Sequence, residues 1–370
     1  MARFDFRPLI AAATLMVAVF STAAQAQTVT LDGASYPSLA AAVNAANTAG
    51  SGTIDLSAGT FNLTRTLYID GNIDVVGAPL DPSGKPTSII TYDDGQTFEL
   101  STIQGNASYL ITVSNVLHPN VAVNFKNIEV DAGSPSLGCT IGGGASSPCV
   151  LGGFNYVEGN VPSGFVQGTL TNSAAIGGKI GLVINSKHAA PHHCIVTVDG
   201  FTTSGHTWGA GVNISANGRL VLGDGGITTQ DSKAAYGDDE TAEVQFPDGS
   251  IHRLLSGSVL YTVVFDANGG QFSGGSSSKS IGAISSKETT LPSNPPTRAG
   301  YTFTGWYTDK AATIKYDVSK PATANAVAFA GWLLKESTVS AVPATGNMAL
   351  AMLGLLLAGV AAGALRRRGT

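Results

Sequence analysis

Residues 53–63 read TIDLSAGTFNL, and residues 73–77 read IDVVG. Apolar side chains alternate with polar or small ones, which is the period of a strand with one buried face, and glycine, asparagine or aspartate interrupts each run. Similar short runs recur at residues 121–128, 182–184, 194–198, 212–214 and 220–222. Strands this short, each closed by a turn, predict a coiled sheet whose inward side chains stack from rung to rung.

A short helix is predicted just before these strands, with Ser38 as its N-cap and apolar residues on one face. The helix sequence SLAAAVNAAN at residues 38–47, with the strands after it, resembles the capping helix and first rungs of right-handed parallel β-helix proteins of the pectin lyase-like class. The segment VNFKNIEV at residues 123–130 resembles their repeated strand motif. The resemblance covers residues 28–232. Residues 132–180, rich in glycine and serine, fit it poorly and are expected to form a long excursion from one corner.

A second resemblance lies in YTVVFDANGG at residues 261–270, LPSNPPTRAGYTFTGWYTD at residues 291–309 and AFAGW at residues 328–332. These segments are similar to the internalin B-repeat module of bacterial surface proteins. The resemblance implies a small β-grasp-like domain that acts as a spacer or contact module. Aromatic side chains are expected to fill the core of so small a domain. The expected core residues are Phe265, Tyr301, Phe303 and Trp306.

The first 26 residues predict a secretory signal peptide. Arg3 and Arg7 precede an apolar run over residues 9–20, and Ala24 and Ala26 stand at positions −3 and −1 of a cleavage site.

The C-terminus predicts a one-pass anchor. An apolar segment from Met348 to Leu365 is followed by Arg366, Arg367 and Arg368, which would stop transfer on the cytoplasmic side. The preceding motif resembles two bacterial sorting signals, the LPxTG signal of sortases, with valine in place of leucine, and the IPTL-type signal of exosortases. A third interpretation is a transmembrane anchor that is never processed. The motif residues are Val342, Pro343, Ala344, Thr345 and Gly346.

The expected fold class is therefore all-β, with a right-handed parallel β-helix, a short N-terminal capping helix, a β-grasp-like repeat domain and a C-terminal transmembrane helix. The expected organisation is a signal peptide (1–26), a parallel β-helix (27–232), a connector hairpin (233–258), the repeat (259–335), a linker with the sorting motif (336–347) and the anchor with its basic stop (348–370).

Charge excludes one class of partner. Only 12% of residues are charged and the formal net charge is −5, so there is no broad basic surface for nucleic acid. Removing both ends would leave a more acidic chain, because most of the charges there are basic. No nucleic-acid partner is expected.

Neither a metal nor a cofactor is expected. His188, His192, His193 and His206 are the candidate imidazole ligands, but Pro191 prevents a regular helix and no acidic partner is adjacent in the sequence. Residues 223–226 supply the single carboxylate of Asp224, far fewer oxygen ligands than calcium requires.

The cysteines divide into two kinds. Cys139 and Cys149 flank a short loop and are candidates for a disulfide in an exported protein. Cys194 lies in an apolar alternation and is predicted to be a buried core thiol.

Catalytic residues are weakly indicated. Polysaccharide-cleaving enzymes need paired carboxylates or an acid with a basic partner. The acidic candidates Asp93, Asp94, Asp199 and Asp224 do not form such a pattern with Arg65 or Arg219. Asp199 and Asp224 are kept as the weak catalytic candidates. Trp208, Tyr307 and Trp332 are available either for stacking on sugars or for packing.

The sequence thus predicts an exported, envelope-anchored bacterial surface protein, non-catalytic, acting in adhesion or in contact with a glycan or a surface protein of a host or neighbouring cell. Its other expected partners are a sortase or exosortase and, through the C-terminal helix, the membrane. The alternative is a surface-tethered lyase or hydrolase acting on acidic polysaccharides.

Overall fold

The computed structural model describes residues 27–92, 109–133, 138–141, 145–148, 152–159, 164–186, 193–215, 217–237, 241–247, 249–254, 259–285, 289, 291–292 and 294–335. The predictions for the leader with Ala24 and Ala26, the sorting motif at residues 342–346 and the arginines at 366–368 lie outside these residues. Within the described part of the chain, no helix is long and apolar enough to cross a membrane.

Most of the described chain winds through three parallel sheets. The first sheet contains β3 (Ser51–Leu56), β6 (Asn72–Val76), β9 (Asn120–Lys126), β14 (Phe165–Thr171), β17 (Cys194–Asp199) and β20 (Arg219–Leu222). The second contains β4 (Gly59–Leu63), β7 (Ser88–Tyr92), β10 (Ile128–Asp131), β15 (Ala174–Ile176), β18 (Phe201–Ser204) and β21 (Ile227–Thr229). The third contains β5 (Leu67–Ile69), β8 (Tyr109–Val113), β13 (Gly152–Val157), β16 (Ile180–Asn185), β19 (Ala210–Ser215) and β22 (Lys233–Gly237).

The chain visits the three sheets in turn, so each rung contributes one strand to each sheet. Within each sheet, the strands named above pair in parallel from one rung to the next. This arrangement is consistent with the expected parallel β-helix, and we call it the coil. Its inward positions form continuous apolar rows, such as Val75, Phe125, Leu170, Val198 and Leu222, all buried.

The corner between the first and second sheets explains part of the asparagine and glycine content. Asn127 and Asn172 adopt positive φ values of 58° and 47°, and Gly200 adopts 70°. Asparagine and glycine tolerate this left-handed conformation better than other residues. The backbone N–H of Asn127 donates to Thr171 O at 3.0 Å, and that of Asn172 donates to Asp199 O at 2.9 Å, so each corner is tied to the next rung.

The N-terminal end of the coil is closed by β1 (Val29–Leu31), β2 (Ala34–Tyr36) and α1 (Leu39–Ala49). Strand β1 pairs antiparallel with β2 and β3. The predicted helix and its N-cap are confirmed: the Ala41 N–H donates to Ser38 Oγ at 3.2 Å, and the helix ends at Gly50 with φ 76°. Buried side chains of the helix pack into the core of the coil.

The expected excursion over residues 132–180 was too long. Among the described strands of this segment, only the hairpin of β11 (Gly138–Ile141) and β12 (Ala145–Pro148) stands outside the three sheets, and strands β13, β14 and β15 belong to the rungs. Glycine is required there for close packing rather than for a loop. A Cβ at Gly152 would collide with Ile180 O, and one at Gly168 with Val123 O.

The parallel ladders continue past residue 232, where the sequence pattern placed the end of the β-helix. Strand β22 pairs in parallel with β19, and β23 (Glu243–Gln245) pairs in parallel with β20, so the ladders continue to residue 245. The predicted hairpin is present, because β23 pairs antiparallel with β24 (Ile251–Arg253). The first sheet of the coil thus extends into the segment expected as a connector.

The repeat consists of β25 (Val259–Asp266), β26 (Ser278–Ile284), β27 (Tyr301–Tyr307) and β28 (Ala326–Leu334). Strands β25 and β28 are parallel, β26 flanks β25, and β27 flanks β28, an order consistent with a β-grasp-like sheet. Phe265 and Phe303 pack edge-on against Trp306, with centroid distances of 4.7 and 5.2 Å. Tyr301 lies apart from this cluster, under the guanidinium of Arg298 at 4.1 Å.

Candidate functional site

The outer face of the third sheet carries a row of side chains in register. Thr112 pairs with Asn155, Asn155 with Val183, Val183 with Asn213, and Asn213 with Tyr236. Their neighbours along each strand belong to the core of the coil, so alternation turns this row outward. Five successive rungs, about 4.8 Å apart, thus align one row of side chains, and Thr112, Asn155, Val183 and Asn213 in this row are at most 8% exposed.

A pocket of about 200 Å³ opens on this row. We call it the third-sheet groove and define it by its lining residues: Tyr109, Asn155, Ile180, Val183, Asn185, Trp208, Asn213 and Ser215. These side chains are amides, a hydroxyl, aromatic rings and aliphatic groups, and none of them carries a formal charge. The groove therefore presents hydrogen-bonding groups beside apolar surface.

Two polar atoms of this row are buried without a hydrogen-bond partner. They are Asn155 Nδ2 and Thr112 Oγ1, on side chains that are at most 6% exposed. A buried donor or acceptor left unpaired costs about 1–3 kcal/mol, and a ligand that reaches these atoms would recover that free energy. By contrast, Asn213 Oδ1 accepts a hydrogen bond from Ser215 Oγ at 2.7 Å.

Aromatic rings border the groove. Trp208 is 52% exposed, and the ammonium of Lys179 lies 5.7 Å from its ring centroid. Lys233 lies 5.9 Å from the ring of Tyr236. Burial, with a smaller contribution from Tyr236, raises the pKa of Tyr109, so its phenol stays protonated and able to donate. These rings offer flat apolar faces next to the amides.

The weak catalytic candidates lie elsewhere, at the corner between the first and second sheets. Asp199 Oδ1 accepts a hydrogen bond from the Gly225 N–H at 2.6 Å and thereby holds the turn of the next rung. Asp224 is exposed and lies 3.9 Å from Lys279 Nζ. Arg219 is paired with Glu243 at 2.7 Å. Neither aspartate is brought into the groove, and Asp93 and Asp94 lie outside the described residues.

Two of the four candidate histidines have acidic partners that the sequence did not reveal. His206 Nδ1 lies 2.7 Å from Asp231 Oδ2, with both side chains buried, and His193 Nδ1 lies 3.4 Å from Glu158 Oε1. Each pair comes from adjacent rungs, so its members are far apart in sequence. The described residues contain no group of three or more potential metal ligands, and His188 and His192 lie outside them.

The Asp231 carboxyl is held in its ionised form. Burial opposes ionisation, but hydrogen bonds from the ring and backbone N–H of His206 keep the pKa of Asp231 below its usual value. Asp231 also accepts a hydrogen bond from Thr229 Oγ1 at 3.2 Å. The hydrogen bonds among His206, Thr229 and Asp231 stabilise the corner between the second and third sheets.

The cysteine predictions are tested at one position. Cys194 is a buried free thiol, as predicted, and burial raises its pKa. Cys139 lies on β11 opposite Ser147, and Cys149 is outside the described residues, so the disulfide stays a prediction.

Among the aromatic residues proposed for sugar contact, Trp208 alone lines the groove. Trp332 is half-buried in the repeat, where its indole N–H donates to Ala267 O at 3.0 Å. The Tyr307 hydroxyl donates to Thr304 Oγ1 at 3.3 Å in the same module. Sequence reasoning missed Asn155 and Asn213. Their signal was an asparagine between two apolar residues within a strand, as in Phe154 to Tyr156 and Val212 to Ile214.

Comparison with known proteins identifies the C-terminal module. Residues 261–331 match the family model of the Listeria-Bacteroides repeat domain. No curated protein and no solved structure matches the chain. The assignment of the repeat is thus supported by both its family match and its sheet. The assignment of the coil is supported by its strand pairing.

Proposed function

We propose that this is a non-catalytic, envelope-anchored bacterial surface protein that binds a glycan in the third-sheet groove. The observation that carries the proposal is the buried, unpartnered amide nitrogen of Asn155 in the same groove as the exposed ring of Trp208. Ligand sites typically combine apolar surface with a few well-placed polar groups.

A glycan suits this chemistry. Sugar rings present hydroxyl groups around their edge and C–H groups on their faces, so amides bind the edge while aromatic rings stack on the face. The repetition of rungs favours an extended ligand. Binding is better supported than cleavage for two reasons. Asp199 accepts a hydrogen bond from the Gly225 N–H in a turn, and the groove lining has no carboxylate for general acid–base chemistry.

Export and anchoring are part of the same proposal. They rest on the leader at residues 1–26, the sorting motif at residues 342–346 and the arginines at 366–368. The repeat match agrees with a surface location. The pectin lyase-like, right-handed assignment of the coil is also proposed, on the sequence motifs and the parallel ladders.

Calorimetry of the purified full chain with a panel of neutral oligosaccharides tests the binding site. We expect Asn155→Ala and Asn213→Ala to weaken binding about tenfold, because each removes a hydrogen bond to the ligand. Asn62→Ala, an exposed asparagine on β4 of the second sheet, is the matched control and should bind normally. Absence of binding across the panel, or equal binding by all variants, would contradict the proposal.

Intact mass measurement of protein extracted from cells tests anchoring. A C-terminus between Pro343 and Gly346 is expected if the tail is sorted. A chain that begins at Met1 and ends at Thr370 would remove both processing steps from the proposal.

A further inference from the structure

The repeat and the coil share one sheet. Strand β25 pairs antiparallel with β22, the last coil strand of the third sheet, through Ala235 with Leu260 and Tyr236 with Val259. From Val263 onward the same strand pairs in parallel with β28 of the repeat. A single strand is therefore divided between the two modules.

The repeat also contributes side chains to the core of the coil. Leu260 and Ile284 are at most 2% exposed and cluster with Leu222, Phe246 and Leu254. A Cβ at Gly282 would lie within about 3 Å of Leu222, Leu260 and Phe246, so β26 lies directly against the last rung. The module's own core, around Phe265 and Trp306, is a separate cluster.

Polar contacts fix the same junction. Thr262 Oγ1 donates to Ile227 O of the last rung at 2.8 Å, in a buried bond. Asn325 joins the two sides, because its Oδ1 accepts from the Thr262 N–H at 2.8 Å and its Nδ2 donates to Asp231 O at 2.7 Å. These bonds satisfy two backbone carbonyl groups of the last rung, Ile227 O and Asp231 O.

From these contacts we infer that the repeat is the C-terminal cap of the coil. At the end of a coil, the apolar side chains and the unpaired backbone groups of the last rung would be exposed to solvent. A terminal unit with a polar outer face is required to cover them. Helix α1 with β1 and β2 covers the first rung, and the repeat covers the last. This role is independent of glycan binding and differs from that of a spacer.

Hydrogen exchange of the full chain, read by mass spectrometry, tests the inference. Val263→Ala weakens the module's own core without removing a side chain that packs in the coil. If the repeat is a cap, amides of β21 and β22 will exchange about tenfold faster, together with those of β27 and β28, while β4 and β5 keep their protection. Val327→Ala makes the same chemical change at a position 43% exposed and should leave both regions unchanged.

A second variant weakens the packing between the repeat and the coil. Leu260→Ala should also accelerate exchange in β21 and β22, because it opens a cavity where the two modules meet. Retention of wild-type protection in β21 and β22 by Leu260→Ala would overturn the inference. So would faster exchange confined to the repeat in Val263→Ala, which is the behaviour of a spacer.

Discussion

Asn213 lies two rungs from Asn155 in the same outward row of the third sheet, with Val183 in register between them. At about 4.8 Å per rung, the two backbones are about 10 Å apart. A ligand that reaches both amides must be longer than a single sugar ring.

We therefore predict that affinity depends on the length of the oligosaccharide. Calorimetry should give weak binding for monosaccharides and a rise of about tenfold or more once the chain spans both asparagines, because each added contact strengthens binding. In Asn213→Ala this gain should be lost while the affinity for the shortest ligand is kept. A length dependence identical to that of the wild type would mean that the ligand does not run along the row.

Two tryptophans should respond differently to truncation. Trp208→Ala is expected to reduce glycan affinity about tenfold with little change in the free energy of unfolding, because the ring is 52% exposed. Trp332→Ala should instead lower the free energy of unfolding by about 3 kcal/mol, since the indole packs against Phe303 and donates to Ala267 O. Titration and urea unfolding of both variants distinguish the roles, and a large loss of stability in Trp208→Ala would contradict this assignment.

Stability should fall in acid partly through Asp231. Its pKa is lower in the folded protein than its usual value, so its contribution is present above the usual carboxyl pKa and is lost as the pH falls through the lowered folded value. Urea unfolding between about pH 6 and pH 2 should show a smaller loss of stability in Asp231→Asn than in the wild type. Asp224→Asn removes an exposed carboxylate and provides the control for the loss of one acidic side chain. Parallel pH curves for wild type and Asp231→Asn would exclude this role.

Much of the local structure could be predicted because it depends on near neighbours. The period of two in residues 53–63, the cap at Ser38 and the spacing of aromatic residues around Trp306 each act over a few residues. The role of a glycine-rich stretch, by contrast, depends on contacts that are remote in sequence. At Gly152 and Gly168 the absence of a side chain serves packing between rungs, which no local pattern distinguishes from a loop.

The sequence by itself determined the class of strands, the capping helix, the buried Cys194 and the presence of the repeat, since propensity and alternation express them locally. Only the tertiary structure decided which side chains meet. Successive rungs contain unequal numbers of residues, so the register that aligns Asn155 with Asn213 and places Asp231 against His206 is set by packing between rungs. The same packing, rather than any motif, joins Leu260 of the repeat to the core of the coil.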